Sequence, residues 1–176
     1  MHKRFFIFCS LVSTLYGADY KYDCKVPDRL MQTIRLTENE SANPYIIRTN
    51  DTKTLNKFHS ISNKHQAKIN SIDNQLINCQ NVETCSALTR DLVLSGITNL
   101  DLGLYQINFP SYPKQPEAYF IEQYAYRIAC NAVIDKVRIA KKWNWEVLAN
   151  YNSATPRFNK IYKDKLIKNY MKLSRN

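Results

Sequence analysis

The chain is organised around Thr37-Glu38-Asn39-Glu40-Ser41-Ala42-Asn43-Pro44-Tyr45. This stretch follows an amphipathic segment that starts near Asp28 and has its apolar side chains at Leu30, Met31, Ile34 and Leu36. That spacing predicts a helix, and Pro44 predicts its end, because proline disfavours the helical conformation of the preceding residue. Leu36 and Glu40 then lie one turn apart on one face. We therefore expect Glu40 to lean onto the apolar side and Glu38 to point elsewhere.

Two carboxylates, Glu38 and Glu40, thus stand at the end of the predicted helix. Burial of Glu40 against apolar side chains would remove water from its carboxyl group, and desolvation raises a carboxyl pKa toward neutrality. A carboxyl group that keeps its proton near neutral pH can protonate an acetal oxygen as a general acid. The alternative interpretation is a solvated pair of glutamates without a chemical role.

The N-terminal segment 1–18 has the layout of a secretory signal peptide. Residues 1–4 are basic, residues 5–16 form an apolar run, and Gly17-Ala18 are small residues followed by polar sequence. The run is shorter than the roughly 20 residues that a spanning helix needs, so we expect cleavage rather than a stable membrane span. Residues 19–176 suffice for one domain with a sizeable core.

The chain is strongly basic, with a formal net charge of +10 at pH 7. Cleavage after residue 18 lowers the charge to +8, because the removed segment contains Lys3 and Arg4 and no acidic residue. A basic surface can serve nucleic acid, anionic lipid or an anionic wall polymer. Export argues against nucleic acid. The composition, 44% hydrophobic and 23% charged, is that of a globular protein.

Four cysteines remain after the predicted cleavage: Cys24, Cys79, Cys85 and Cys130. In an oxidising compartment an even number predicts disulfides, and four cysteines allow three pairings. We favour Cys79 with Cys85, which closes a short local loop and leaves Cys24 to pair with Cys130. A zinc site is the alternative interpretation, although the close pair-and-pair spacing of such sites is missing.

The middle of the chain predicts a small β region between helices. A β-branched run at 45–49 indicates a strand and a turn, with a small hairpin to 53–55, and 67–69 indicates a short strand. Residues 82–95 indicate a helix that Gly96 ends. Two histidines in the polar part of this region are interpreted as solvated side chains and not as metal ligands, namely His59 and His65.

A second motif runs from 99 to 110, where Gly103 stands among bulky apolar residues. It predicts an extended strand whose backbone closely approaches another part of the protein. Gln106 and Asn108, two positions apart, would present their amides on one face of that strand. A buried core strand without a binding role is the alternative.

The C-terminal part predicts a long helix from 117 to 141 and a last helix from 159 to 173. The last helix carries an apolar stripe of Tyr162, Leu166, Tyr170 and Leu173. Such a stripe is typical of core packing.

Three motifs therefore stand in a fixed order: Glu40-Ser41 with Asn43-Pro44, then Gly103-Leu104-Tyr105-Gln106-Ile107-Asn108, then Ala149-Asn150-Tyr151-Asn152-Ser153. Together, within one exported basic domain, they resemble the lytic transglycosylases of the goose-lysozyme-like superfamily, glycoside hydrolase family 23. The resemblance covers roughly residues 28–153. The small peptidoglycan-cleaving subunits of type IV secretion systems share most of this pattern. The resemblance implies an α+β, mainly α-helical, lysozyme-like domain with a small β-hairpin or sheet region.

The resemblance also implies an enzyme, a peptidoglycan lytic transglycosylase with Glu40 as its catalytic acid. Glu40 would protonate the glycosidic oxygen between N-acetylmuramic acid and N-acetylglucosamine. It would then take the proton of the muramyl C6 hydroxyl as 1,6-anhydromuramic acid forms, a route that needs no second carboxylate. Tyr151 would orient Glu40. The other residues implied in substrate binding or in support of the acid are Ser41, Gln106, Asn108 and Asn152. No metal, nucleotide or other cofactor is implied.

The implied setting is the periplasm, with peptidoglycan glycan strands as substrate and components of a type IV secretion system as partners. The wall would be opened locally for assembly of the secretion apparatus. Two rival functions remain. One is a lysozyme-like hydrolase in which Asp101, the candidate second acid, positions a water molecule. The other is a non-catalytic wall-binding module that recruits secretion components.

Overall fold

The structure, a computed structural model, describes residues 21–174. Within this range the chain is mainly helical with a small antiparallel sheet, which confirms the predicted α+β class. The α-helices of this part are α1 (Asp28–Glu38), α2 (Leu55–Lys64), α3 (Val82–Leu94), α4 (Glu122–Ala140), α5 (Trp145–Ala149) and α6 (Pro156–Leu173). Its strands are β1 (Ile46–Thr49), β2 (Lys68–Ile69), β3 (Leu76–Asn78), β4 (Leu100–Leu102) and β5 (Ile107–Asn108). The predicted signal peptide lies outside the described residues.

Helix α1 forms where the apolar spacing predicts it but ends before the second glutamate. Met31 and Ile34 are buried and face the core. The helix ends at Glu38, because Asn39 leaves the helical conformation with φ −150° and ψ 88°. Glu40 therefore belongs to the loop that follows, where the i to i+4 spacing of a helix no longer applies.

The sheet has the strand order β2-β3-β1-β4-β5, and all its pairings are antiparallel. Strand β1 lies at its centre, between β3 and β4. Arg48 of β1 is the direct partner of Asp101 of β4. Directly paired residues of an antiparallel sheet extend their side chains on the same face, so a cation and an acid are neighbours here.

The hairpin expected between 45–49 and 53–55 is wrong. Thr52–Thr54 forms one turn of 3-10 helix, and α2 follows it directly. The Asp51 side chain accepts a hydrogen bond from the Lys53 backbone N–H at 2.9 Å, which favours a helical start over a strand. Phe58 and Ile61 are buried and give α2 its apolar face.

The second motif is a hairpin turn and not one extended strand. Strand β4 ends at Leu102 and β5 begins at Ile107, so Gly103 and Gln106 lie in the connecting turn with φ values of 70° and 44°. The predicted close approach of Gly103 is nevertheless present, because a Cβ added there would overlap the backbone carbonyl of Tyr119. The turn thus requires glycine both for its conformation and for space.

The last helices differ slightly from their predicted bounds. The predicted helix 117–141 is divided into a 3-10 turn, Pro116–Tyr119, and α4, with the extended Ile121 between them. Helix α6 starts at Pro156, where the fixed φ of proline suits the first helical turn. It packs against both α1 and α5. The buried ring of Tyr162 confirms that the predicted stripe contributes to the core.

Both predicted disulfides are present. Cys24 is bonded to Cys130 with a Cα–Cα distance of 6.0 Å, and Cys79 to Cys85 with a distance of 5.0 Å. The first links the segment before α1 to α4, and the second ties the end of β3 to α3. Two such bonds fit a protein of an oxidising compartment, extracellular or periplasmic.

Candidate active site

A cavity of about 880 Å³ opens beside the end of α1, between the β4–β5 hairpin, α4 and the segment that follows α5. Polar side chains from distant parts of the sequence meet in its wall. Those that the sequence analysis singled out are Glu38, Asp101, Gln106, Asn108, Tyr151 and Asn152. A concave site with several convergent polar groups is the usual form of a ligand site.

Glu38 reaches this cavity because α1 is held firmly at its last turn. The Thr37 hydroxyl donates to the Thr33 carbonyl at 2.7 Å and accepts from the Asn169 amide of α6 at 3.0 Å. Arg29 lies over the ring of Tyr170, also in α6, at 3.9 Å from the ring centre. These contacts fix the rotation of α1 against α6 and hence the direction of Glu38.

The environment of Glu38 raises the pKa of its carboxyl group to about 8, far above the ordinary value of 4.5. Loss of water around the carboxyl group is the largest cause, although the side chain as a whole keeps some exposure where it meets the cavity. The negative charge of Asp101 adds to the rise. The positive charges of Arg48 and Lys165 oppose it. With a pKa of about 8, the protonated form of Glu38 is the major form at neutral pH.

The hydroxyl group of Tyr162 is the neighbour of Glu38 that the sequence analysis missed. It is buried and has no hydrogen-bond partner of ordinary geometry among the described residues. Even so, it is close enough to the Glu38 carboxyl group to lower the pKa of that group. The Tyr162 hydroxyl is therefore a polar neighbour of the Glu38 carboxyl group without a hydrogen bond of ordinary geometry to it.

Glu40 and Ser41, by contrast, lie outside the lining of the cavity. The expectation that Glu40 is the desolvated carboxylate of the pair is wrong, since its side chain is exposed and that of Glu38 is the shielded one. The Ser41 hydroxyl donates to the Asn39 side chain at 2.7 Å and so supports the loop rather than a carboxylate. The Asn39 amide in turn donates to the Asn43 carbonyl at 2.7 Å.

Asp101 lies in the cavity wall with both carboxylate oxygens already hydrogen-bonded. One accepts from the Asn50 amide at 2.7 Å and the other from the Asn108 amide at 2.9 Å. The Asn108 side-chain oxygen Oδ1 accepts from the Ser111 hydroxyl at 2.7 Å. Asn108 thus serves mainly to hold Asp101 in place.

Gln106 presents an unpaired acceptor at the cavity. Its Nε2 donates to the Gly103 carbonyl at 2.8 Å, while its buried Oε1 has no partner within the described residues. Such an orphaned buried oxygen is rare unless a ligand or water satisfies it. One N–H of its amide has a partner in the turn, and the unpaired oxygen makes Gln106 a candidate acceptor in addition to the donor that was expected.

Tyr151 and Asn152 lie side by side in the wall formed after α5. The Tyr151 hydroxyl donates to the Tyr105 carbonyl at 2.8 Å. Burial raises its pKa well above the ordinary value, and the nearby charge of Glu38 adds to this rise. Tyr151 is therefore a neutral neighbour of Glu38. The Asn152 side chain is exposed at the cavity and is available to a ligand.

Comparison of the chain with family models, curated proteins and solved structures gave no match. The fold and the cavity define the class of this protein only as an α+β, mainly helical domain with two disulfides and a polar cavity whose wall contains a glutamate of raised pKa. Among residues 21–174, no helix has the length and apolar character to cross a membrane. The same residues contain no group of three or more His, Cys, Asp and Glu side chains suited to hold a metal ion.

Proposed function

We propose that this protein is a peptidoglycan lytic transglycosylase in which Glu38, in place of Glu40, is the catalytic acid. The observation that carries the proposal is the position of Glu38, a desolvated carboxyl group of raised pKa in the wall of a cavity of about 880 Å³. The motifs of the sequence that resemble such enzymes contribute to the same cavity through Gln106, Asn108, Tyr151 and Asn152. Glu40, which is exposed, has no comparable surroundings.

In the first step Glu38 donates its proton to the glycosidic oxygen between N-acetylmuramic acid and N-acetylglucosamine. The C1–O bond breaks, and the positive charge that develops at the anomeric carbon is stabilised by the acetamido group of the substrate. In the second step the Glu38 carboxylate accepts the proton of the muramyl C6 hydroxyl while that oxygen bonds to C1. The product ends in 1,6-anhydromuramic acid, and Glu38 regains its proton.

The surroundings of Glu38 suit both steps. Desolvation favours the protonated form that acts first, and the Tyr162 hydroxyl can donate to the carboxylate formed by the proton transfer. The unpaired Oε1 of Gln106 can accept a hydrogen bond from an amide or hydroxyl group of a sugar. Asn152 adds an exposed amide that can donate and accept.

Hydrolysis of the same bond is the second candidate, because Asp101 lies in the same cavity as Glu38. A carboxylate that activates water must direct a free oxygen lone pair at that water. Both oxygens of Asp101 are already engaged by Asn50 and Asn108. This arrangement favours a fixed negative charge over a base, and so favours the transglycosylase.

The proposed setting is the periplasm, with type IV secretion components as partners. The two disulfides support an oxidising compartment, and the resemblance of the sequence motifs supports the secretion system. The purified protein should release muropeptides that end in 1,6-anhydromuramic acid from isolated sacculi, as measured by mass spectrometry. Reducing muramyl ends would indicate the hydrolase. No release, with retained binding to sacculi, would indicate the non-catalytic wall-binding module.

A further inference from the structure

We propose that the cleft continues into a lysine-lined groove that binds the carboxylates of the peptide stems of peptidoglycan. The groove has a volume of about 440 Å³ and lies between the end of α4, α5 and the first half of α6. This inference rests on the proposed function. It specifies where the peptide stem of a bound peptidoglycan strand lies while the sugars occupy the main cavity.

The groove and the main cavity are neighbours that share part of their walls. Ala140, Asn150 and Ala154 line both. Two of the three are alanines, whose side chains are small, so little side-chain volume separates the two spaces. A branched polymer whose backbone lies in the main cavity can therefore place a side branch in the groove.

The floor beneath this shared wall is rigid. Asn159, which is buried, has its Nδ2 at 2.7 Å from the Asn150 side-chain oxygen, at 3.0 Å from the Glu146 carbonyl oxygen and at 3.1 Å from the Ser153 carbonyl oxygen, so that its two N–H groups are shared among three acceptors. These bonds tie α5 and the segment after it to α6. The geometry of the groove is thus fixed in advance, which reduces the entropy lost on binding.

The groove is electropositive. Lys142, Lys160 and Lys163 line it, and Glu146 is its acidic member. Within residues 21–174, none of the three lysines forms an ion pair with an acid. Lys160 and Lys163 are three positions apart on α6 and therefore lie on one helix face. Their ammonium groups are available to an anion.

The chemistry of the substrate selects the peptide stem as that anion. The linked sugars of a glycan strand carry no charge of their own, because the lactyl carboxyl group of the muramyl residue is consumed in the amide bond to the stem. Stem peptides carry free carboxylates, including that of the C-terminus. Flexible lysines suit such carboxylates, which vary in position between stems, better than a rigid bidentate site would.

The test measures binding of soluble glycan strands to the full mature protein carrying Glu38→Gln, which prevents cleavage. Two forms of the strands serve as probes: strands with their stems, and stripped strands from which an amidase has removed the stems and whose lactyl carboxylates, freed by the amidase, have then been converted to amides. Lys160→Gln with Lys163→Gln removes two charges from the groove. The matched control is Lys53→Gln with Lys68→Gln, which removes two exposed charges from elsewhere on the surface.

We expect the Glu38→Gln protein and the Lys53/Lys68 control to bind stem-bearing strands about fivefold more tightly than stripped strands. The Lys160/Lys163 groove variant should lose this preference. Binding of stripped strands should be equal in all three. Free stem peptide should compete for the stem-bearing strands, whereas the same peptide with amidated carboxylates should not. Equal losses in the groove variant and the control, or a loss for stripped strands as well, would overturn the inference.

The two proposals fail in different ways. If the wild-type protein releases anhydro products equally well from both kinds of strand and the groove variant does the same, the proposed stem-binding role of the groove is wrong. The proposed transglycosylase activity is then unaffected. If no anhydro product is released from either kind of strand, the proposed function is wrong and the groove, which rests on it, is wrong as well.

Discussion

Glu38 and Asp101 line one cavity, although Glu38 ends α1 and Asp101 lies in the middle of β4. The negative charge of Asp101 raises the pKa of Glu38. The amides of Asn50 and Asn108 in turn hold Asp101. Strand β4 thus contributes a fixed negative charge, that of Asp101, which favours the protonated form of Glu38 at the end of α1.

This relationship predicts a pH-dependent stability. Below the ordinary pKa of 4.5, Glu38 is protonated in both the folded and the unfolded protein. Between 4.5 and about 8 only the unfolded state ionises, so the free energy of unfolding falls as the pH rises, by at most about 1.4 kcal/mol per pH unit. Above pH 8 this loss is complete.

Glu38→Gln cannot ionise and should lack this contribution. Its melting temperature relative to the wild type should therefore rise by several degrees between pH 4.5 and pH 9 in thermal denaturation monitored by circular dichroism. Glu40→Gln is the matched control and should follow the wild type. A constant difference between Glu38→Gln and the wild type at all pH values would contradict the raised pKa.

Asp101→Asn should keep substantial lytic activity, because Asp101 acts in this account as a fixed charge and not as a base. Loss of its charge lowers the pKa of Glu38, so the alkaline limit of the pH–rate profile should move to lower pH. The measurement is the rate of release of muropeptides from sacculi across pH. Asp164→Asn, at an exposed position of α6, is the control and should shift nothing. An inactive Asp101→Asn would favour the hydrolase.

The two disulfides should contribute unequally to stability. The Cys24–Cys130 bond has a sequence separation of 106, and the Cys79–Cys85 bond has a separation of 6. Loop-closure entropy then gives stabilisation of about 5 kcal/mol for the long loop and about 2 kcal/mol for the short one. The two double Cys→Ala variants, compared by thermal denaturation, should therefore show the larger loss for Cys24 and Cys130. The reverse order would show that loop entropy is not the main contribution.

Gly103→Ala should destabilise the protein by about 2 kcal/mol or more, because the new Cβ overlaps the Tyr119 backbone carbonyl in addition to the strain of a positive φ. Gly96→Ala is the control, since Gly96 also has a positive φ but has open space around it. Gly96→Ala should lower the free energy of unfolding by only about 1 kcal/mol, which is the cost of a positive φ without any steric overlap. Urea denaturation measures both. Equal losses would mean that the turn relaxes to accommodate the methyl group.

Much of the fold follows from local sequence patterns, because those patterns are decided by near neighbours. The apolar spacing before Glu38 predicts α1, and the six-residue separation of Cys79 and Cys85 predicts a local disulfide. Helix α2 was missed because Phe58 and Ile61 are its only large fully apolar buried positions in a polar stretch. The apolar face of α2 is buried by packing against α3, and this tertiary contact cannot be read from the local sequence.

The choice between the two glutamates depended on where one helix ends. The helical i to i+4 spacing from Leu36 selects Glu40 as the carboxylate on the apolar face. That spacing does not apply, because Asn39 leaves the helical conformation before Glu40 is reached. Counting from Met31 and Ile34, both buried, selects Glu38 at the next position of the same stripe. That signal was present in the sequence. The sequence gives no local signal that Glu38 and Asp101 line the same cavity. Their proximity depends on tertiary packing, of α1 against α6 and of β4 against β1.

The role of Glu38 is tested by the rates at which Glu38→Gln and Glu40→Gln release 1,6-anhydromuramic acid ends from sacculi, each relative to the wild type. Glu38→Gln keeps the shape and removes the proton, so the rate should fall by about 100-fold or more. Glu40→Gln should stay within about twofold of the wild type, since its side chain is exposed outside the cavity. An inactive Glu40→Gln beside an active Glu38→Gln, both with native melting curves at pH 5, would contradict the account.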